Sequence, residues 1–204
     1  MHMKYFFLII LFPLFIHSQE NNDQDKEDKE RKFSIGFAAG IMNQSFEQNG
    51  DHLTNQASNM AGFALQYQSS EFSHLRLGYD RFSTVSFSGL SFDSYTIPLL
   101  YGFNLDWLKS LYGGVKNPNI KLLVELGVYY RGISNFKNQS SIDYNTHNVF
   151  GFQTAFVLKF DLSNSLFANI SIQGNNDYDD ILDADNNAIS LSGYALQLGF
   201  AFRL

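Results

Sequence analysis

From Phe33 to the last residue the chain alternates between large apolar side chains and small or polar ones, and it does so about eight times. Period-two patterning puts successive side chains on opposite faces of extended strands, so the chain must build a sheet with one greasy face. In the opening run Phe33, Ile35, Phe37, Ala39 and Ile41 share a face against Ser34, Gly36, Ala38 and Gly40. The closing run sets Tyr194, Leu196, Leu198, Phe200, Phe202 and Leu204 against Gly193, Ala195, Gln197, Gly199, Ala201 and Arg203. Between them come runs around Ala61 to Tyr67, Leu75 to Tyr79, Tyr95 to Phe103, Ile120 to Tyr130, Phe150 to Phe160 and Leu166 to Ile172.

Soluble sandwiches and lipocalin-like barrels also alternate, so the pattern alone does not say which face is inside. The second face decides. It carries Gly, Ala, Ser and Gln with charges at Arg76, Asp80, Lys121, Glu125, Arg131, Lys159 and Arg203. An eight-stranded barrel has an interior only wide enough for side chains, so a lining made wholly of aromatic and large aliphatic residues overfills it. The large face therefore points into lipid. The expected fold is all-β: a closed antiparallel up-and-down transmembrane β-barrel of about eight strands, each roughly 9 to 11 residues long as a tilted crossing needs. Arg81 is the one ionisable residue on the lipid face. Either it reaches the headgroups from beyond Tyr79, or a bulge turns Phe82 outward in its place.

The first 18 residues hold one cation, Lys4, and an apolar run Tyr5 to Ile16 ending near Ser18-Gln19. Too short to span a bilayer as a helix and interrupted by Pro13, it has the form of a secretory signal, with the mature chain starting near Gln19. Residues 19–32 contain no apolar side chain and mix both charge signs, which marks a solvated periplasmic tail. The barrel then occupies 33–204. The chain has no Cys, which excludes disulfide and zinc-thiolate scaffolds, and its formal charge of -6 provides no basic field for nucleic acid.

With the amino terminus in the periplasm, the outward connections fall at about 43–58, 86–91, 135–147 and 174–190, and three of the four are expected to be long polar loops. The turn at 104–119 (NLDWLKSLYGGVKNPN) is expected on the inner side as a short interfacial helix or an irregular turn, with Trp107 at headgroup level. Tyr101 and Tyr130 are the other expected interfacial anchors. Inside, Arg76, Asp80, Glu125 and Arg131 form a lumen charge cluster whose members can pair across a narrow bore, as a plug or as the lining of a selective pore.

No catalytic, cofactor or metal site is expected. His52 beside Asp51, and His147, lie in outer connections where no spacing assembles a nucleophile and base. Asp177, Asp179, Asp180, Asp183 and Asp185 crowd the fourth connection, yet an EF-hand register from Asp183 places Ala188 where Gly is required and Tyr194 where Glu is required.

Four segments carry a family resemblance: KFSIGFAAG, YTIPLLYGF with Pro98 inside it, IKLLVELGVYY, and the ending GYALQLGFAFRL. With them the chain resembles the small outer-membrane β-barrels of the porin-family or PorT-like kind, over Phe33 to Leu204. The resemblance implies insertion by the barrel-assembly machinery, and with the loop asymmetry the chain is expected to be a monomer in a bacterial outer membrane, with lipid and other envelope proteins as partners. The last residue is Leu204 where such barrels end in an aromatic, and Phe202 stands two places back on the same face. The expected function is a non-enzymatic envelope scaffold, against a narrow porin-like channel or a soluble lipocalin-like carrier of an apolar ligand.

Overall fold

The computed structural model describes residues 32–70, 72–105, 119–184 and 187–204. The proposed signal and all but the last residue of the charged tail lie outside them, as do Trp107 and the inner turn around it. Eight long strands form an antiparallel ring: β1 (Phe33–Gln48), β2 (Asp51–Ser70), β3 (Ser73–Phe87), β4 (Leu90–Asn104), β5 (Ile120–Asn138), β7 (Val149–Asp161), β8 (Leu166–Asp177) and β10 (Asn187–Arg203). Two short strands, β6 (Asn145–Thr146) and β9 (Leu182–Ala184), pair with one another over one end. Pairing of β1 with β10 over fifteen registered positions, Ser34 with Arg203 through Gln48 with Ile189, closes the ring and removes both sheet edges. Both β1 and β10 have their chain-terminal ends at one end of the ring, called here the terminal end; the opposite end is the far end.

The outer surface near the terminal end is apolar. Phe156, Leu198 and Phe200 are 60%, 59% and 56% exposed, in company with Phe37, Ile41, Phe63, Ile172 and Leu196. A water-facing sheet does not present a continuous girdle of this kind, whereas a lipid-facing one requires it. An aromatic arc follows the wall from β2 to β7: Phe63, Tyr79, Tyr95, Tyr130 and Phe150 lie with successive ring centroids 5.7, 5.8, 6.4 and 5.6 Å apart. Arg81 points outward with Phe82 fully buried beneath the wall, so of the two arrangements open in the sequence the first is the one adopted. The register slip on β3 falls beyond Phe82, between Phe82 and Val85.

The strands run well past the lipid belt, and here the sequence expectation needs correcting. The segment 43–58 is not a loop: β1 and β2 continue to a two-residue turn at Asn49-Gly50, both with positive φ (53° and 87°). The Asn-Gly pair satisfies that geometry at little steric cost. Ser88-Gly89 turns the next hairpin in the same way. Segments 135–147 and 174–190 likewise belong partly to strands, and the strands are 12 to 20 residues long instead of 9 to 11.

The physical reason is an inversion of polarity. Below the far boundary the outside is lipid and the inside is small and polar; above it the outside is water and the inside is apolar. On β1 the outward residues pass from Phe37 and Ile41 to Asn43 and Ser45, as the inward ones pass from Gly36 and Ala38 to Met42 and Phe46. The same exchange brings Phe82, Val85 and Phe87 inside on β3, and Ile189 and Leu191 inside on β10. Val85, Phe87, Ile189 and Leu191 join Phe46, Leu90, Phe92, Tyr144, Val149, Ile181 and Leu182 in one buried apolar core, which the β6–β9 ladder covers, and Phe82 packs with Met42, Met60 and Ala195 in a second cluster. Phe46, Phe82 and Phe92 are wholly buried. Period two thus persists through the head with its faces exchanged.

Candidate functional site

Beneath this apolar plug the bore is polar, and its ionisable side chains fall into separate groups. Near the terminal end, His74 and Arg76 rise from β3 on alternate positions and converge on Glu125 of β5 across β4. His74 Nε2 donates to Glu125 Oε1 at 2.8 Å and Arg76 Nη1 donates to Oε2 at 2.9 Å. Each carboxylate oxygen thus receives one donor, which is what a buried anion needs to remain charged. The space comes from glycine. A Cβ at Gly102, directly opposite His74, would collide with the imidazole ring. Asp80, two inward positions further along β3, interacts electrostatically with Arg76 and lies over Gly62, where a Cβ would collide with its carboxylate.

Arg131 lies apart from Arg76, Asp80 and Glu125, nearer the plug. Its Nε donates to Asp177 Oδ1 at 3.0 Å, and both side chains are fully buried. The Tyr129 hydroxyl donates to the same oxygen. The guanidinium lies 5.2 Å from the Tyr129 ring centroid and 5.8 Å from that of Phe82, so its faces meet π-systems where its edge meets a carboxylate. Asp177, expected from sequence within an acidic loop, is instead the last residue of β8 and faces the bore.

Amides and hydroxyls pair elsewhere in the interior. Gln153 donates to Gln173 at 3.0 Å, Gln44 to the Ser58 hydroxyl at 2.7 Å, and the Ser171 hydroxyl to Gln197 at 3.2 Å. At the terminal mouth Lys159 Nζ stands 3.9 Å from the Phe167 ring centroid, Arg203 covers the same ring at 5.2 Å and also pairs with Asp161, and Lys121 approaches Asp161 at 3.7 Å. The open space among Arg76, Asp80, Glu125, Lys159 and Asn169 amounts to about 50 Å³. That volume holds a few water molecules and excludes a sugar-sized solute.

The remaining candidates from sequence lie elsewhere. Tyr130 and Tyr101 both face outward, Tyr130 within the aromatic arc and Tyr101 against Phe103 at 4.7 Å. His52 bonds Asn55 at 3.1 Å on the outer hairpin, and His147 contacts Asp183 at 2.9 Å in the far-end ladder, so the two imidazoles serve different elements. The acidic residues near 177–185 are divided: Asp177 is inside the bore and Asp183 is held by His147, with Asp185 outside the described residues. Among the described residues no three His, Asp or Glu side chains converge as a metal site.

His74 and Tyr129 complete the two groups without having been singled out in the sequence, and Asp177 stands out there only as part of an acidic loop. His74 and Tyr129 do sit on the inward phase of their strands. For Asp177 the signal is that Ser171, Gln173, Asn175 and Asp177 continue one inward phase into the supposed loop.

A ring of eight antiparallel strands with this belt and filled bore has the fold of the small outer-membrane β-barrel proteins. Among solved structures it is similar to Neisserial surface protein A, at 10% identity and a TM-score of 0.62, over 84% of this chain and 97% of that one. It is also similar to the outer membrane protein OprG of Pseudomonas aeruginosa, at 12% identity and a TM-score of 0.57, over 87% and 98% of the two chains. The N-terminal β-barrel domain of Pseudomonas aeruginosa OprF follows at 13% and 0.51, over 81% and 96%. At these identities the likeness is one of fold. No family model and no curated protein matches the sequence.

Proposed function

We propose that the protein is a non-enzymatic integral protein of a bacterial outer membrane, a closed barrel that acts as an interaction scaffold of the envelope. The terminal end faces the periplasm, and the far-end head stands above the outer leaflet as a rigid platform for other envelope components. One observation carries this reading: the bore is sealed at the far end by a continuous buried apolar core, from Phe46 and Phe92 across to Ile181 and Leu182. Hydrated ions do not cross such a plug without its opening. Below it the charges of both signs pair with each other, which suits a filled bore better than a selective one.

The lumen charges Arg76, Asp80, Glu125 and Arg131 accordingly hold opposite walls together, and Tyr101 and Tyr130 anchor the belt at its two interfaces. Insertion by the barrel-assembly machinery and a monomeric state accord with the closed ring, which leaves no strand edge free. The test is conductance in planar bilayers. Flat traces are expected from the protein and from its Glu125→Ala and Arg76→Ala forms; steady single-channel currents that either substitution alters would make it a channel instead. Enrichment of particular envelope proteins in pull-downs from detergent extracts would then name the partners.

A further inference from the structure

The aromatic arc does not close around the barrel. It covers β2 to β7, but on the wall formed by β7, β8, β10, β1 and β2 the far boundary has a different chemistry. There Phe152, Asn176, Ser192, Ser45 and Asn55 are successive cross-strand partners, one unbroken outward row over five strands. The next row towards the terminal end is Thr154, Gly174, Tyr194, Asn43 and Ala57, and the one beyond it Phe156, Ile172, Leu196, Ile41 and Asn59. Across about 13 Å of wall, four residues along each strand, the surface therefore passes from mostly small hydrogen-bonding groups to mostly exposed aliphatic and aromatic ones.

This stretch is concave. A groove of about 590 Å³ is lined by the two polar rows, with His52 and Asn55 of the projecting hairpin on one flank and Phe152 on the other. Its depth follows from side-chain size, since Gly174 and Ser192 offer little bulk between Phe152 and Tyr194. The Tyr194 ring is 61% exposed, and Asn43 Nδ2 donates to its hydroxyl at 3.0 Å. Among the described residues no Lys or Arg lines the groove, and the hairpin beyond it carries the carboxylates of Glu47, paired with His52 across the strands, and Asp51. A phosphate headgroup finds no cation there and meets repulsion from the hairpin. An uncharged, hydroxyl-rich headgroup finds amides, hydroxyls, an imidazole and an aromatic face on which a sugar ring can stack.

We propose that this groove is a binding site for a membrane lipid with a neutral glycan headgroup. The sugar lies among Asn43, Ser45, His52, Asn176 and Ser192, and the acyl chains run down over Phe156, Ile172 and Leu196. The occupant is a lipid and not a free saccharide because the polar rows open directly onto the lipid-facing row.

The test uses the full-length protein in nanodiscs of phosphatidylcholine doped equally with monogalactosyl diacylglycerol and phosphatidylglycerol, with co-retained lipid counted by native mass spectrometry. Retention of the galactolipid is expected to exceed that of phosphatidylglycerol by at least about fivefold, the scale of one or two net hydrogen bonds. Asn176→Leu/Ser192→Leu should abolish the preference, and Tyr95→Leu on β4, across the ring from β10, should leave it intact. If the leucine pair does not fold, judged by heat-modifiable gel mobility, Asn176→Ala/Ser192→Ala removes the same groups without bulk and carries the same expectation. Equal retention of the two lipids, a preference that survives the loss of Asn176 and Ser192, or soluble methyl galactoside binding as tightly as the lipid would each overturn the assignment.

Discussion

The Arg131 guanidinium and the Asp177 carboxylate meet at 3.0 Å inside the bore, with neither side chain exposed at all. They come from β5 and β8, which are separated by β7, so the pair spans the wall over a third strand. Directly beneath the plug it completes the filling of the barrel where the apolar core gives way to amides.

Breaking this pair from one side should be costly. Asp177→Asn or Arg131→Met leaves the other charge buried without its counterion, and the expected destabilisation is about 3 to 5 kcal/mol. The double variant Arg131→Met/Asp177→Leu should regain most of that loss. Urea unfolding in liposomes checks both, and a double variant no more stable than either single one would remove the pair from the account.

Gly102→Ala should destabilise the barrel by about 1 to 3 kcal/mol, because the added methyl occupies the place of the His74 ring and displaces it from Glu125. The second-site change His74→Ala should relieve the clash, so the cost of Gly102→Ala should shrink in that background. A thermodynamic cycle over the four proteins measures the coupling, and additive effects would contradict it.

The head is held by its own core. Phe46→Ala or Phe92→Ala, at fully buried positions, should each cost about 3 to 5 kcal/mol in a cooperative unfolding measurement. Phe156→Ala, on the exposed lipid face, should cost clearly less. Equal losses at buried and lipid-facing phenylalanines would argue against a packed plug.

At the far end, the hydrogen bond from His147 holds the Asp183 carboxyl below the usual carboxylate range. Because the native value is depressed, the contact stabilises the β6–β9 ladder above the unfolded carboxylate range and is lost as pH falls through the native value. Amide exchange in β9 should therefore accelerate on acidification below about pH 4. Asp183→Asn should remove that dependence, and an unchanged acid limb in the variant would contradict the assignment.

Much of the barrel is legible in the sequence because lipid imposes a strict rule on outward residues. The alternation through Phe33, Phe37 and Ile41, or through Leu196, Leu198 and Phe200, has no other satisfactory environment once the opposite face is small and charged. The head is less legible. Asn43, Ser45, Asn55 and Ser192 look like loop composition to a rule calibrated on lipid, yet the alternate residues Met42, Phe46, Ile189 and Leu191 on β1 and β10 keep the same period with the greasy phase moved inside. Asn49-Gly50 and Ser88-Gly89 are the local markers of where these hairpins turn. In the bore, inward phase identifies Arg76, Asp80, Glu125 and Arg131 as lumen residues, but which charge meets which depends on strand stagger. Asp177 becomes visible as Arg131's partner only once β8 is known to run that far.

The inversion of polarity at the far boundary is the claim on which the rest depends, and β10 crosses it. The chain has no Cys, so single cysteines can be introduced and spin-labelled one at a time from Ile189 to Phe202. Power-saturation measurements in bilayers then report contact with oxygen, which concentrates in lipid, or with a water-soluble nickel complex. Labels at 196, 198, 200 and 202 should be oxygen-accessible, labels at 190 and 192 nickel-accessible, and labels at 189 and 191 shielded from both. Oxygen contact at 189 and 191, continuing outward beyond Tyr194, would mean that the greasy face never turns inward, and the sealed head would not exist.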